Sequence, residues 1–158
     1  MRSALSSPCW TGALITDDAL HTQRAHVAYL MGRGKHHLLT VKGNQPTLLR
    51  QLTALPLTDV PVADRTLKKG HGRTKQRTVK LTSIAAGITF PGAQTAVQIT
   101  RQRKTKTGHW HTEVIYAITD LGFRQIDPAT LADAARAHWG IENRLHWVRD
   151  VTFAEDLS

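Results

Sequence analysis

Asp18 in ALITDDALH and Glu142 in HWGIENRLHW are the two residues of this sequence best placed to do chemistry together. Asp18 closes a short apolar run, GALIT at 12–16, that has the pattern of a buried strand ending at Asp17 and Asp18. The C-terminal end of a strand is where an α/β sheet presents functional groups. Glu142 sits in a helix-compatible segment, RAHWGIENRLHWVRDV at 136–151. A strand-end Asp and a helix Glu brought together by a fold suit divalent-metal chemistry on phosphodiesters. Hard Mg²⁺ is held by a few carboxylates with water and phosphate oxygens, and two ions roughly 3.5–4 Å apart can activate an attacking oxygen and stabilise a leaving one. The chain has 12 acids and so offers many pairs, which makes the spacing permissive and no more.

On a helix turning about 100° per residue, His138, Glu142, His146 and Arg149 fall within a sector of roughly 80°, with Ile141, Leu145 and Val148 in the sector beside it. An ordinary amphipathic helix has the same pattern, with Glu142 and His146 as an i,i+4 pair. The HxxxExxxH spacing of residues 138–146 is not the HExxH of zinc metalloproteases, so no zinc helix is expected. Trp139 and Trp147 have the character of packing residues on such a helix.

A net charge of +9, from 21 Lys and Arg against 12 Asp and Glu, favours a polyanionic partner. Ten of those 21 cations lie in two acid-free stretches: Lys68, Lys69, Arg73, Lys75, Arg77 and Lys80 in LKKGHGRTKQRTVK, and Arg101, Arg103, Lys104 and Lys106 in RQRKTK. In a strand, Arg73, Lys75 and Arg77 would stand on one face as a comb for a phosphate backbone. A polar face that protects a sheet edge would carry similar residues.

The elements that must position these groups follow from periodicity and punctuation. After the GALIT strand, Ala19 to Met31 reads as a helix stopped by Gly32 and Gly34, HHLLTVK at 36–42 as a second strand, and Pro46 as the first residue of a short helix through Leu52. This β-α-β-α order is that of an α/β sheet. From 60 to 119 no helical period is sustained, and RTVKLTSIAAGITF, TAVQITRQR and HTEVIYAIT have strand character, the last two joined across KTKTG. A β-rich, basic insertion within an α/β frame is therefore expected at 60–119. Asp127 then caps a helix with Pro128 at its first position, running to about Val151 with Gly140 as a candidate break.

The 158 residues suit one domain with a sizeable core. The single cysteine, Cys9, excludes an intrachain disulfide and any Cys-rich zinc site and fits a reducing cytoplasm. No apolar run approaches the roughly 18 residues of a spanning helix, and the first ten residues lack the apolar centre of a signal peptide. No membrane partner is expected.

In order along the chain, ITDDALHTQRAH, YLMGRGKHHLLTVKGNQPTLL, GHGRTKQR and RAHWGIENRLHWVRDVTFAED resemble the DDE transposases of bacterial insertion sequences, within the insertion-sequence-4-like group. The resemblance runs from about residue 12 to the end. It implies a partial ribonuclease-H-like α/β catalytic core with a β-rich insertion before the C-terminal helix that carries the catalytic Glu. It makes Asp18 similar to the second Asp of the DDE triad, Asp17 its neighbouring alternative, and Glu142 similar to the Glu. The implied cofactor is Mg²⁺, two ions in the complete enzyme, with Mn²⁺ as substitute.

The implied partners are transposon-end and target DNA, with a homodimer in the DNA complex, in the bacterial cytoplasm at the nucleoid. The broader group's Tyr, Arg, Glu, Lys signature is altered here: Ala135 stands for the Tyr, His138 for the Arg and Arg149 for the Lys, and His138 and Arg149 can still donate to phosphate. No acid precedes Asp17 and the sequence stops just after AED, so a piece truncated at both ends and lacking the first Asp is expected. That leaves two expectations: a catalytic fragment of a DNA-cleaving and strand-transferring enzyme, or a truncated, non-catalytic DNA-binding or regulatory module.

Overall fold

The computed structural model describes residues 13–17, 24–70, 72–84, 88 and 90–148, with side chains followed as far as residue 138. The elements along the chain are β1 (Leu14–Asp17), α1 (Arg24–Gly32), β2 (His36–Val41), α2 (Pro46–Thr53), β3 (Asp64–Gly70), β4 (Arg73–Ser83), β5 (Thr95–Lys104), β6 (Trp110–Thr119) and α3 (Pro128–Val148). The strands form one mixed sheet in the order β1-β2-β6-β5-β4-β3. β1 pairs with β2 in parallel, as a strand pair bridged by a helix must, and the remaining pairs are antiparallel.

Adjacent strand residues point to opposite sides, and both sides are covered. Leu38, Val79, Leu81, Val97, Ile99 and Ala117 pack with Leu131, Ala132 and Ala135 of α3, and Leu14 of β1 joins that layer. Their neighbours Leu39, Val41, Ala96 and Ile118 pack on the other side with Val27 of α1 and Leu48 and Leu52 of α2. Pairs such as Leu38/Leu39, Ala96/Val97 and Ala117/Ile118 therefore serve two cores, which is why these strands carry adjacent apolar residues rather than a strict alternation.

β6 pairs with β2, so the β-rich stretch extends the sheet begun by β1 and β2. Two hairpins make its outer part, and Gly72 (φ 70°) and Gly108 (φ 88°) take the left-handed conformation their turns require. The strand expected at 77–90 begins earlier, at Arg73, and ends at Ser83; β3 pairs with it residue for residue from Asp64↔Val79 to Gly70↔Arg73. Of the helix expected at Ala19–Met31, the part that can be compared starts at Arg24, residues 19–23 lying outside the described ones.

α3 opens as its sequence dictates: the Asp127 carboxylate accepts from the Thr130 backbone N–H at 3.1 Å and from the Thr130 hydroxyl, and Pro128 fills the first helical position. The helix runs unbroken through Gly140, since a glycine costs a helix only about 1 kcal/mol relative to alanine. No helix among the described residues is long and apolar enough to cross a membrane.

Candidate functional site

On the α3 side of the sheet the apolar layer gives way to cations along the strands. Two residues before Val79 stands Arg77, and two beyond Ile99 stands Arg101; the register sets them opposite each other. The next row sets Lys75 against Arg103 on one side and Lys68 on the other. Arg73 ends the β4 series beside Gly70 at the turn. The alternating positions 73, 75 and 77 thus lie on one face of β4.

Lys68, Lys75, Arg77, Arg101, Arg103 and Arg136 of α3 line one groove of about 340 Å³. Among the described residues, two acids stand in or beside it. Glu113 accepts from Arg101 at 3.2 Å, and Asp133 pairs with Arg136 at 2.9 Å. Burial lowers the Arg77 pKa, Arg101 and Arg136 lower it further, and Asp133 opposes them.

Not every cation of the two basic stretches belongs to this face. Lys80 points to the opposite side, where its ammonium donates to the carbonyls of Leu57 (2.8 Å) and Thr58 (3.2 Å) and ties down the loop after α2. Lys104 lies over the exposed Trp110 ring, 5.9 Å from its centroid.

The carboxylate site expected from the sequence is only partly visible. Asp17 ends β1, and its Oδ2 lies 3.1 Å from Nε2 of His26 on α1, so it faces the helix pair opposite α3. Asp18 and Arg149 lie outside the described residues, and Glu142 lies on α3 with its side chain beyond those followed. His138 is half-buried on α3. Ala135 of α3 is buried in the core. Among the described residues no group of three His, Cys, Asp or Glu side chains could hold a metal ion.

A second polar cluster was not anticipated. Asp120, just past β6, reaches back to the start of β2: its Oδ2 accepts from His36 Nδ1 and its Oδ1 from the His37 backbone N–H, both at 2.8 Å. His37 itself is fully buried, and its Nδ1 stands 3.4 Å from Asp120. Burial lowers the His37 pKa below its usual 6.5; Asp120 opposes this, while His36 and His26 add to it.

The linkage sign follows. Above about pH 6.5 His37 is neutral folded and unfolded; below it the unfolded chain binds a proton that the folded one refuses, so stability falls until the lowered folded pKa is reached. The slope for this one group is at most about 1.4 kcal/mol per pH unit. Urea midpoints of wild type and His37→Leu compared at pH 5.5, 6.5 and 7.5 should diverge as pH falls, wild type losing more; parallel profiles would mean that His37 keeps an ordinary pKa.

The family described as "Transposase DDE domain" matches residues 2–158 of the chain. Among curated proteins, "Putative transposase YncI" of Escherichia coli O157:H7 is 29% identical over 161 residues, covering 92% of this chain and 40% of that protein. The chain thus spans about two-fifths of that relative's length.

Proposed function

The chain belongs to the Transposase DDE domain family, and from that premise we propose that it is part of a transposase core that cuts and joins DNA strands. The observation that carries this reading is the family match over residues 2–158, and the groove lined by five cations of the sheet and Arg136 of α3 gives it a surface for the substrate. On this reading residues 12–158 form part of a ribonuclease-H-like catalytic domain of the insertion-sequence-4-like group, and 60–119 is its basic insertion. Arg73, Lys75, Arg77, Arg101 and Arg103 hold the backbone of transposon-end or target DNA, joined by His138 and Arg149. The protein works as a homodimer on DNA in the bacterial cytoplasm.

Asp18 and Glu142 are the proposed catalytic and metal-binding carboxylates. Asp17 is turned toward His26 of α1. The described carboxylates do not fit a metal site, since Asp17 is engaged by His26 and Asp120 by His36 and His37. Mg²⁺ or Mn²⁺, when bound, supplies activation of the attacking oxygen and stabilisation of the leaving one. What the chain itself supplies is retention of the DNA backbone against the sheet and a helix that carries Glu142.

Two carboxylates are few for two divalent ions, which repel each other unless enough negative ligands hold them. The 158-residue chain alone is therefore expected to leave supercoiled plasmid intact in Mg²⁺ or Mn²⁺ while still binding it. Mn²⁺ binding, read by electron paramagnetic resonance, should weaken in both Asp18→Asn and Glu142→Gln. Unchanged Mn²⁺ binding in both would sink the carboxylate assignment. Nicking that disappears in Glu142→Gln would overturn the ligand count and show the chain competent by itself. A chain that binds DNA without cutting leaves standing the second role, a non-catalytic DNA-binding or regulatory module.

A further inference from the structure

The turn ends of the β3–β4 and β5–β6 hairpins, residues 65–76 and 102–112, contain no acid. They close side by side, because β4 pairs with β5 as far as Thr74↔Lys104. Lys106 of the second turn packs on the first: a Cβ at Gly72 would stand 3.6 Å from its Cγ. Four strands therefore end together as one blunt edge. That edge lies about 20 Å beyond the apolar core, since each strand residue from Val79 back to Arg73 adds roughly 3.3 Å.

Strand alternation gives this edge cations on both faces. On the α3 side Lys68, Lys75 and Arg103 form one row, with Arg73 beside it at the turn. On the reverse face the adjoining row is Lys69, Thr74, Lys104 and Trp110. The Trp110 ring, 5.9 Å from the Lys104 ammonium, keeps that charge on the reverse face. Lys68, Lys69, Arg73, Lys75, Arg103 and Lys104 are all exposed. Outermost strands carry lysines to discourage stray pairing, but Lys75, Arg103 and Lys104 lie on interior strands, where that need does not arise.

A duplex laid flat on the α3 side would leave Lys69 and Lys104 in water. A sheet with its side chains is about 10 Å thick, and the major groove of B-DNA is about 12 Å wide and 8.5 Å deep, with phosphates along both walls. We propose that the joined hairpin ends enter the major groove edge-on, Lys68, Lys75 and Arg103 meeting the backbone of one strand and Lys69 and Lys104 that of the other. The insertion rests on the reading of the basic face as a DNA surface, and adds to it the groove and the reverse-face contacts. Its contacts are to phosphate, so it fixes where the duplex lies without selecting a sequence.

The test uses the whole chain and a labelled 30-base-pair duplex of arbitrary sequence, with affinity followed by fluorescence anisotropy from 50 to 200 mM salt. Lys69→Gln with Lys104→Gln removes the reverse-face charges. Arg33→Gln with Arg124→Gln makes the same charge change at exposed positions by the opposite end of the sheet. The first pair is expected to weaken binding about tenfold or more and to lower the slope of log K against log salt by roughly 1.5 to 2, the second to stay close to wild type. Lys69→Arg with Lys104→Arg keeps both charges and should bind as wild type does. Dimethyl sulfate then reads the groove: guanine N7 faces the major groove and adenine N3 the minor, so the bound chain should protect guanine N7 and leave adenine N3 reactive.

Circular dichroism melting of each variant separates loss of contact from loss of fold. Wild-type binding in a folded Lys69→Gln, Lys104→Gln variant, or a loss equal to that of the Arg33 and Arg124 pair, would overturn the insertion in favour of a duplex lying flat on the α3 side. Guanine N7 as reactive as in free DNA would overturn it even if both lysines prove necessary. Failure of the wild-type chain to bind the duplex at all would instead remove the DNA reading, and the insertion with it.

Discussion

Replacing Arg73, Lys75 and Arg77 together by alanine is expected to weaken binding to an arbitrary DNA duplex by about 100-fold at 50 mM salt, and to flatten the dependence of log K on log salt by roughly 2 to 3 units. Each cation that neutralises a phosphate releases condensed counterions, at about 0.9 of a unit of slope per contact, so three contacts set the upper limit. The three positions stand on one face of β4, in line with Arg101 and Arg103 of β5, so a duplex lying on that face meets them together. The fold should tolerate the change. Arg73 and Lys75 are exposed, and Arg77 belongs to neither apolar core cluster. The decisive result is the slope: a triple variant with wild-type slope assigns DNA binding to another surface, whatever happens to the affinity at one salt concentration.

The β-α-β-α half of this fold is legible because its signals are local. Leu38, Leu39 and Val41 set an apolar strand between polar ends, Pro46 sits where a helix begins, and Gly34 takes the left-handed conformation (φ 63°) that ends α1. The same holds at α3, where the Asp127 and Pro128 pair specifies the start and Thr130 completes the cap. The β3–β4 hairpin was not legible as a pair of strands. Both of its strands are polar on both faces near the Gly-His-Gly turn, so the apolar alternation that marks a half-buried strand is absent there.

The site divides in the same way. Arg73, Lys75 and Arg77 could be placed on one face from alternation, because a strand has a single period. Arg136 was missed because its companions are set by tertiary structure. It stands about 120° around the helix from Glu142, off the polar stripe, and its i,i+3 spacing from Asp133 has the look of an ordinary surface pair. His37 was missed for the opposite reason: in HHLLTVK it stands among strand residues, and only the return of Asp120, more than 80 positions later, makes it a buried titratable group. Asp17 and Asp18, adjacent and chemically alike, could not be separated by type; the contact of Asp17 with His26 assigns it to the α1 side.

Leu131→Ala is expected to cost about 3 kcal/mol of stability, the largest effect of any single substitution considered, and to lower the melting temperature by roughly 6–12 °C for a domain of this size. The 21-residue α3 is about 31 Å long, yet only Leu131, Ala132 and Ala135 among its described side chains are buried. Two of these are alanines, so Leu131, with no exposed surface, supplies most of the apolar volume by which this part of the helix holds the sheet. Its neighbours Val79, Leu81, Val97 and Ala117 belong to strands fixed by pairing on both sides and cannot close in on the space it leaves, so the cavity adds to the lost transfer energy. Leu131→Met, which keeps the volume, should cost less than about 1.5 kcal/mol. Urea unfolding of the two variants beside wild type measures both, and below its melting range the alanine variant should retain the wild-type salt slope for DNA, since no cation has been removed. A cost under about 1 kcal/mol for Leu131→Ala would mean that α3 is anchored by residues other than those on its first two turns.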